Sequence, residues 1–218
     1  MKISASTIAV LKNFNTINNN ILFREGNTIS TMGTAKNIFA MAIVEEEFPK
    51  EVGIYDLGNL LALITLSDDQ DIEFGDNSLE VTNPSGKFEY YYADPEILIT
   101  PPNKKISVDE HFVFKLAKED ITTLMKAAAI VGAKTLSFVA EDGKVTLVVG
   151  DPKTAGSNSY RKVIGESEET FNVFISVDLI KVIPDNYEVV ISKKRFLHFR
   201  NEAKTRMYWM ACDPKSEV

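Results

Sequence analysis

Between Ser4 and Ile17, the residues Ile8, Leu11 and Ile17, with Val10 and Phe14 beside them, form a mainly apolar stripe at helical spacing. Ser4 or Ser6 supplies the cap. The segment "ILFREGNTIST" then shows two short runs around Glu25-Gly26-Asn27, the pattern of a hairpin. "NIFAMAIV" and "EVGIYD" read as the next strands. Leu57, Leu60, Leu61 and Ile64 then fall at i, i+3, i+4 and i+7, which predicts a short helix over Leu57–Leu66. "DIEF", "SLEVTN" and "KFEYYYA" follow as strands, separated by Gly75-Asp76-Asn77 and Asn83-Pro84-Ser85-Gly86.

The segment Ala93–Lys105, "ADPEILITPPNKK", has three prolines and no helical period, and Pro101-Pro102 forbids a regular ladder there. It marks a linker, giving domains at 1–92 and 110–218 joined by 93–109. Beyond it the plan restarts. "HFVFKL" is a strand, "KEDITTLMKAAAIVG" a helix stopped by Gly132, and "TLSFVAEDGKVTLVVG" a hairpin turning at Asp142-Gly143. "SNSYRKVIG" and "FNVFIS" are strands, and a second short helix is expected through Val177–Val182, ending before Pro184. "YEVVIS", "RFLHFR" and "TRMYWMA" close the chain as strands.

The two halves read as a repeat. Ile8, Leu11 and Ile17 match Ile121, Leu124 and Ile130 at a constant offset of 113 residues, and Asp56-Leu57 matches Asp178-Leu179 at 122. Both halves end on an aromatic strand and an alanine, "YYYA" at Tyr90–Ala93 and "YWMA" at Tyr208–Ala211. The class is α+β: helices on antiparallel sheet, one arrangement used twice.

Net charge is −7, all of it in the first half: residues 1–105 hold 8 Lys+Arg against 15 Asp+Glu, and residues 106–218 hold 16 against 16. An acidic chain does not wrap nucleic acid with its whole surface, so any DNA contact must use cations focused on one face. The single cysteine, Cys212, permits no disulfide within the chain and suits a reducing cytoplasm. No apolar run reaches membrane-spanning length, and "MKISASTIAVLKNF" lacks a signal-like apolar core.

Catalytic chemistry is sparse. His111 and His198 each lie in a strand-like alternation with no ligand cluster. "GDPKTAGS" at Gly150–Ser157 lacks the Gly-Lys-Ser/Thr ending of a phosphate loop and reads as a polar connection. The acidic runs Glu45–Glu47 and Asp68–Asp71 read as solvated loops. No metal or cofactor is called for, and the weight moves toward binding.

The segments "LKNFNTIN" (Leu11–Asn18), "IYDLGNLLALITL" (Ile54–Leu66) and "ADP" (Ala93–Pro95) resemble the sliding clamps of T-even-type bacteriophages, the DNA polymerase processivity factors. The likeness is clearest in the first half; in the second it rests on element order and length. The resemblance implies a DNA-clamp fold with two helices per domain. It also implies a homotrimeric ring around double-stranded DNA and no catalysis. The partners it implies are a replicative DNA polymerase and an ATP-dependent clamp loader, in the cytoplasm of an infected bacterium. It makes Lys12, Lys118, Lys126 and Lys181 the DNA-facing candidates, while the helix Leu57–Leu66 carries no cation and would offer Asn59, Ala62 and Thr65. It makes "KFEYYYA" and "SNSYRKVIG" the subunit edges, with Phe88, Tyr90 and Tyr92 meeting Tyr160 and Val163, unless those aromatics pack inside their own domain. It makes Met32, Leu98, Ile99, Met210 and Ala211 a pocket for partner tails, unless the linker aliphatics only pin the linker. A two-domain α+β enzyme of unknown reaction and a scaffold that never meets DNA are the other readings.

Overall fold

A computed structural model describes residues 1–67, 69–102, 106–150 and 158–218 and divides the chain into two units, Met1–Asn103 and Lys104–Val218. In the first unit, helix α1 (Ala5–Ile17) starts where its cap places it, with the Ser4 hydroxyl accepting the Thr7 N–H at 3.3 Å. Its buried stripe is Thr7, Val10, Leu11, Phe14 and Ile17. Strands β1 (Ile21–Phe23), β2 (Gly26–Met32), β3 (Ile38–Phe48) and β4 (Val52–Ile54) follow. Asp56 then caps α2 (Leu57–Ile64), accepting the Asn59 N–H at 2.9 Å, and Leu57, Leu60, Leu61 and Ile64 are buried as their spacing demands. Strands β5 (Asp71–Phe74), β6 (Ser78–Asn83) and β7 (Gly86–Tyr91) form an antiparallel sheet in that order.

The second unit runs β8 (Glu110–Leu116), α3 (Lys118–Val131), β9 (Thr135–Glu141), β10 (Lys144–Val149), β11 (Tyr160–Glu166) and β12 (Phe171–Ser176). It closes with β13 (Tyr187–Ser192), β14 (Phe196–Asn201) and β15 (Arg206–Ala211). One sheet has the order β11-β10-β9-β12; the other pairs β8 with β13, β13 with β14 and β14 with β15, all antiparallel. Gly132 stops α3 in the left-handed region at φ 64°, where the absent Cβ removes the steric cost. Asp142 and Gly143 both have positive φ, as the tight β9–β10 turn requires.

The repeat is visible in both helices and tyrosines. α1 and α3 begin 113 residues apart, at Ala5 and Lys118. Tyr90 and Tyr208, 118 residues apart, each bind backbone beside the second helical element of their unit, before α2 in one and after the 3-10 turn in the other. The Tyr90 hydroxyl donates to the Asp56 carbonyl at 2.9 Å, and the Tyr208 hydroxyl accepts the Ile183 N–H at 3.3 Å.

Several expectations need correcting. The helix expected over Val177–Val182 is a single 3-10 turn, Val177–Leu179. Val177, Ile180, Val182 and Ile183 are β-branched, and Pro184 removes a donor and drives Ile183 out of the helical region. The Leu-rich α2 has neither handicap. Ile130 is 84% exposed although Ile17 is buried, and Ile8 is half-buried although Ile121 is fully buried, so of the three pairs only Leu11 and Leu124 are equivalent. β1 does not form a hairpin with β2: it pairs with β4, Ile21 opposite Ile54, while β2 pairs with β3. Glu45–Glu47 lie in β3 rather than a loop, and Glu46 accepts hydrogen bonds from the Ser4 N–H and the Thr7 hydroxyl at the start of α1. Burial pushes the Glu46 carboxyl up, but those donors outweigh it and hold it below the usual carboxylate range. Part of the acidic run 68–71, and "GDPKTAGS" from position 151 onward, lie outside the described residues.

The first residues of the expected linker belong to the first unit. Ala93 bridges to Gly53, donating to its carbonyl at 2.9 Å, and Leu98 is buried. A Cβ on Gly53 would stand 2.5 Å from the Ala93 carbonyl oxygen and 2.9 Å from Leu98 Cδ1. Gly53→Ala is therefore expected to lower unfolding free energy by about 1–3 kcal/mol, the usual cost of overpacking. Urea denaturation checks it: a change below about 0.5 kcal/mol, the scale of an ordinary surface substitution, would show that the linker does not sit this close.

Candidate functional site

Three features of the two units bear on function: exposed helix faces, open strand edges and the apolar residues of the linker. On α1, Lys12 is exposed on the face opposite the Leu11 and Phe14 stripe. It lies at the rim of a groove of about 490 Å³ that Ile8 and Ala9 share with Ile64, Thr65 and Gln70. On α2, Asn59, Ala62 and Thr65 at its end are all exposed, and no cation stands among them.

Helix α3 buries Ile121, Leu124 and Ala128 and turns Lys118 and Lys126, two turns apart, to solvent. Asp120 anchors the helix from the other side. Its carboxylate accepts the Ala117 N–H at 3.1 Å and pairs with Lys162 of β11, whose ammonium holds the carboxyl below its usual range. Lys181 does not share this setting. It follows the 3-10 turn, half-buried, with its backbone N–H on the Leu179 carbonyl at 2.8 Å.

β7 in the first unit and β11 in the second are each an edge strand of their sheet, opposite β5 and β12 at the other edges. Tyr90 is half-buried and its hydroxyl is committed to Asp56, while Tyr92 donates to the Gly75 carbonyl at 3.3 Å beneath the Lys50 ammonium. Phe88 shares this face, also half-buried. The alternate face of β7 holds Lys87, Glu89 and Tyr91, all exposed, with Tyr91 at 67%. On β11, Val163 is 56% exposed and Tyr160 half-buried. Tyr91 is the apolar edge residue that sequence reasoning missed: alternation separates two sets of residues on a strand but does not say which set faces the core.

In the linker, Leu98 is buried against Gly53, whereas Ile97 is 61% exposed and Ile99 half-exposed. The buried Asn18 amide donates to the Met32 carbonyl at 2.9 Å and the Ile99 carbonyl at 3.1 Å, so one side chain at the end of α1 brings these two residues together. Met210 is fully buried and offers no surface to a partner; Ala211 is exposed.

Both histidines are packed. His111 stands 3.2 Å from Glu169 and edge-on to Phe171, and His198 stacks on Trp209 at 4.5 Å. Burial pushes the Cys212 thiol up to about 12, which makes it a neutral group rather than a nucleophile. Among the described residues, no helix is long and apolar enough to cross a membrane.

The family described as DNA polymerase processivity factor matches residues 3–99. The sliding clamp of Vibrio phage KVP40 is 30% identical over 199 residues, covering 88% of this chain and 90% of that one. The sliding clamp of Enterobacteria phage T4 is 29% identical over 203 residues, covering 89% and 88%. The crystal structure of proliferating cellular nuclear antigen from Entamoeba histolytica matches in fold with a TM-score of 0.68, covering 95% of this chain and 94% of that one at 14% identity.

Proposed function

Because this chain belongs to the DNA polymerase processivity factor family, the sliding clamps, we propose that three copies close into a ring around duplex DNA and tether a replicative polymerase to it. Such a factor holds and does not catalyse. The observation that carries the ring is the pair of unlike open edges, β7 in one unit and β11 in the other. An exposed edge invites another strand, and joining two different edges head to tail generates a cycle when the rotation closes. A ring cannot leave DNA sideways, so its contacts need neither strength nor sequence preference. Lys12, Lys118 and Lys126 supply mobile positive charge suited to phosphates, on helix faces that bury nothing else.

Partner tails dock, in this reading, on the apolar surface of the first unit where Ile97, Ile99 and Met32 are exposed or half-exposed. A closed ring needs a separate machine to open it, an ATP-driven loader, and the whole works in the cytoplasm of an infected bacterium. Light scattering tests the assembly: the expected solution mass is three times the 24.3 kDa chain, with longer products from the cognate polymerase when the ring is loaded. A monomer at every concentration, with no polymerase stimulation, would sink the reading and favour a two-domain protein of another kind.

A further inference from the structure

The register of the β5–β6–β7 sheet sets Glu73 opposite Glu80, and Glu80 opposite Glu89. Three carboxylates stand in one row across three strands. Like charges directly opposite each other destabilise a sheet, so the row costs the isolated unit something. Lys87 relieves part of it by pairing with Glu80 at 2.5 Å. Glu89, at the end of the row on the open edge, accepts hydrogen bonds from the Ser78 hydroxyl at 2.8 Å and the Tyr91 hydroxyl at 3.1 Å. It has no ion pair with a cation among the described residues. The row lies on the face away from Tyr90, whose hydroxyl reaches the cap of α2.

On the corresponding face the other open edge carries a cation, Arg161, while the bulge in β11 brings Glu166 to that face at its far end, opposite Lys144 of β10. Lys162 of β11 turns inward to Asp120 of α3, so Arg161 and Val163 point away from that helix. Both are exposed, and Arg161 has no ion pair among the described residues.

We propose that Arg161 of one copy pairs with Glu89 of the next, completing the glutamate row with a cation from the fourth strand. This rests on the ring reading, in which β11 of one chain lies against β7 of its neighbour with the helices of both on one side. Arg161 then stands over the same face as Lys87, Glu89 and Tyr91. The guanidinium spans directly opposite and diagonal positions, and the exposed Tyr91 ring beside Glu89 gives its plane a surface to lie on. A register that brings Arg161 to Lys87 sets like charges together. The pair therefore selects the register of the joint as well as the partner, and it gives the acid row a reason to exist.

The test is a charge-swap cycle on the full chain, read as the chain concentration at which the trimer dissociates. Glu89→Arg and Arg161→Glu are each expected to raise that concentration at least about tenfold, because each juxtaposes like charges. The doubly swapped chain, with the pair restored in reverse, should return to within about threefold of the natural chain, the signature of direct coupling. Circular dichroism of the three variants confirms that these exposed changes leave the fold intact. Single variants that assemble like the natural chain, or a double variant as weak as the two singles combined, overturn the pair while leaving the trimer standing. A natural chain that is monomeric at every concentration overturns the ring and the pair together.

Discussion

Replacing Lys12, Lys118 and Lys126 together by Glu is expected to reduce loading onto nicked circular DNA on the order of a hundredfold, while the trimer survives. Each chain exchanges three positive charges for three negative ones, and the ring repeats that change in every copy. None of the three side chains is needed for packing, since Lys12 is exposed on α1 and Lys118 and Lys126 are exposed on α3. The effect has a salt signature. Lysines that neutralise phosphates release counterions, so loading of the natural chain falls as salt rises and loading of the variant falls less steeply. Lys181→Glu alone is expected to change loading little, because that residue lies off the helices. The measurement is the amount of protein retained on nicked plasmid after gel filtration, across a salt series. Unchanged loading by the triple variant would show that these faces do not line the hole.

The second large effect is on acid stability. Burial, aided by Arg200, lowers His198 from 6.5 to about 4, against a smaller opposite pull from the Tyr208 carbonyl 3.3 Å from Nδ1. The folded chain thus holds His198 neutral at a pH where the unfolded chain has already bound a proton. Stability from this residue is complete above pH 6.5, falls as the pH drops toward 4, and levels off below. The loss over that window is about 3 kcal/mol. His198→Gln keeps an amide donor for the Tyr208 carbonyl and does not titrate, so its stability should stay nearly flat over the same range. Urea denaturation at fixed chain concentration, at several pH values across the window, compares the two. Carboxylates held low in the fold, such as Glu46 and Asp120, add their loss at lower pH in both proteins and cancel in the difference. Parallel acid limbs in the two proteins would place the proton elsewhere.

What the sequence made legible follows the range of the forces involved. α1, α2 and α3 are readable because period and caps are local: Ser4 and Gly132 mark the ends of α1 and α3 within a turn of the stripe they bound, and α2 follows from its leucine spacing. The Asp142-Gly143 turn was readable for the same reason. The partner of β1 was not, because three apolar residues carry no record of which distant strand they meet. A helix over Val177–Val182 is expected because Asp178-Leu179 imitates the start of α2, while the β-branched run and Pro184 that cancel it come after. On β7, alternation identified the two faces but not the one anchored by Tyr90, and so Tyr91 and Glu89 were passed over. The buried Met210 was proposed as surface for a similar reason: its strand alternates, and the sense of the alternation is set by the second sheet layer.

The 3-10 turn at Val177–Leu179 has a consequence for motion. Had both units kept the same pair of helices, a duplex rotating inside the ring would meet the same lining at every unit. In the proposed ring, with α2 in one unit and a single turn in the other, the lining would repeat once per subunit, and the exposed lysines would stand on α1 and α3 and not on α2. The rotational energy profile felt by the duplex would then have three periods per turn of the ring instead of six.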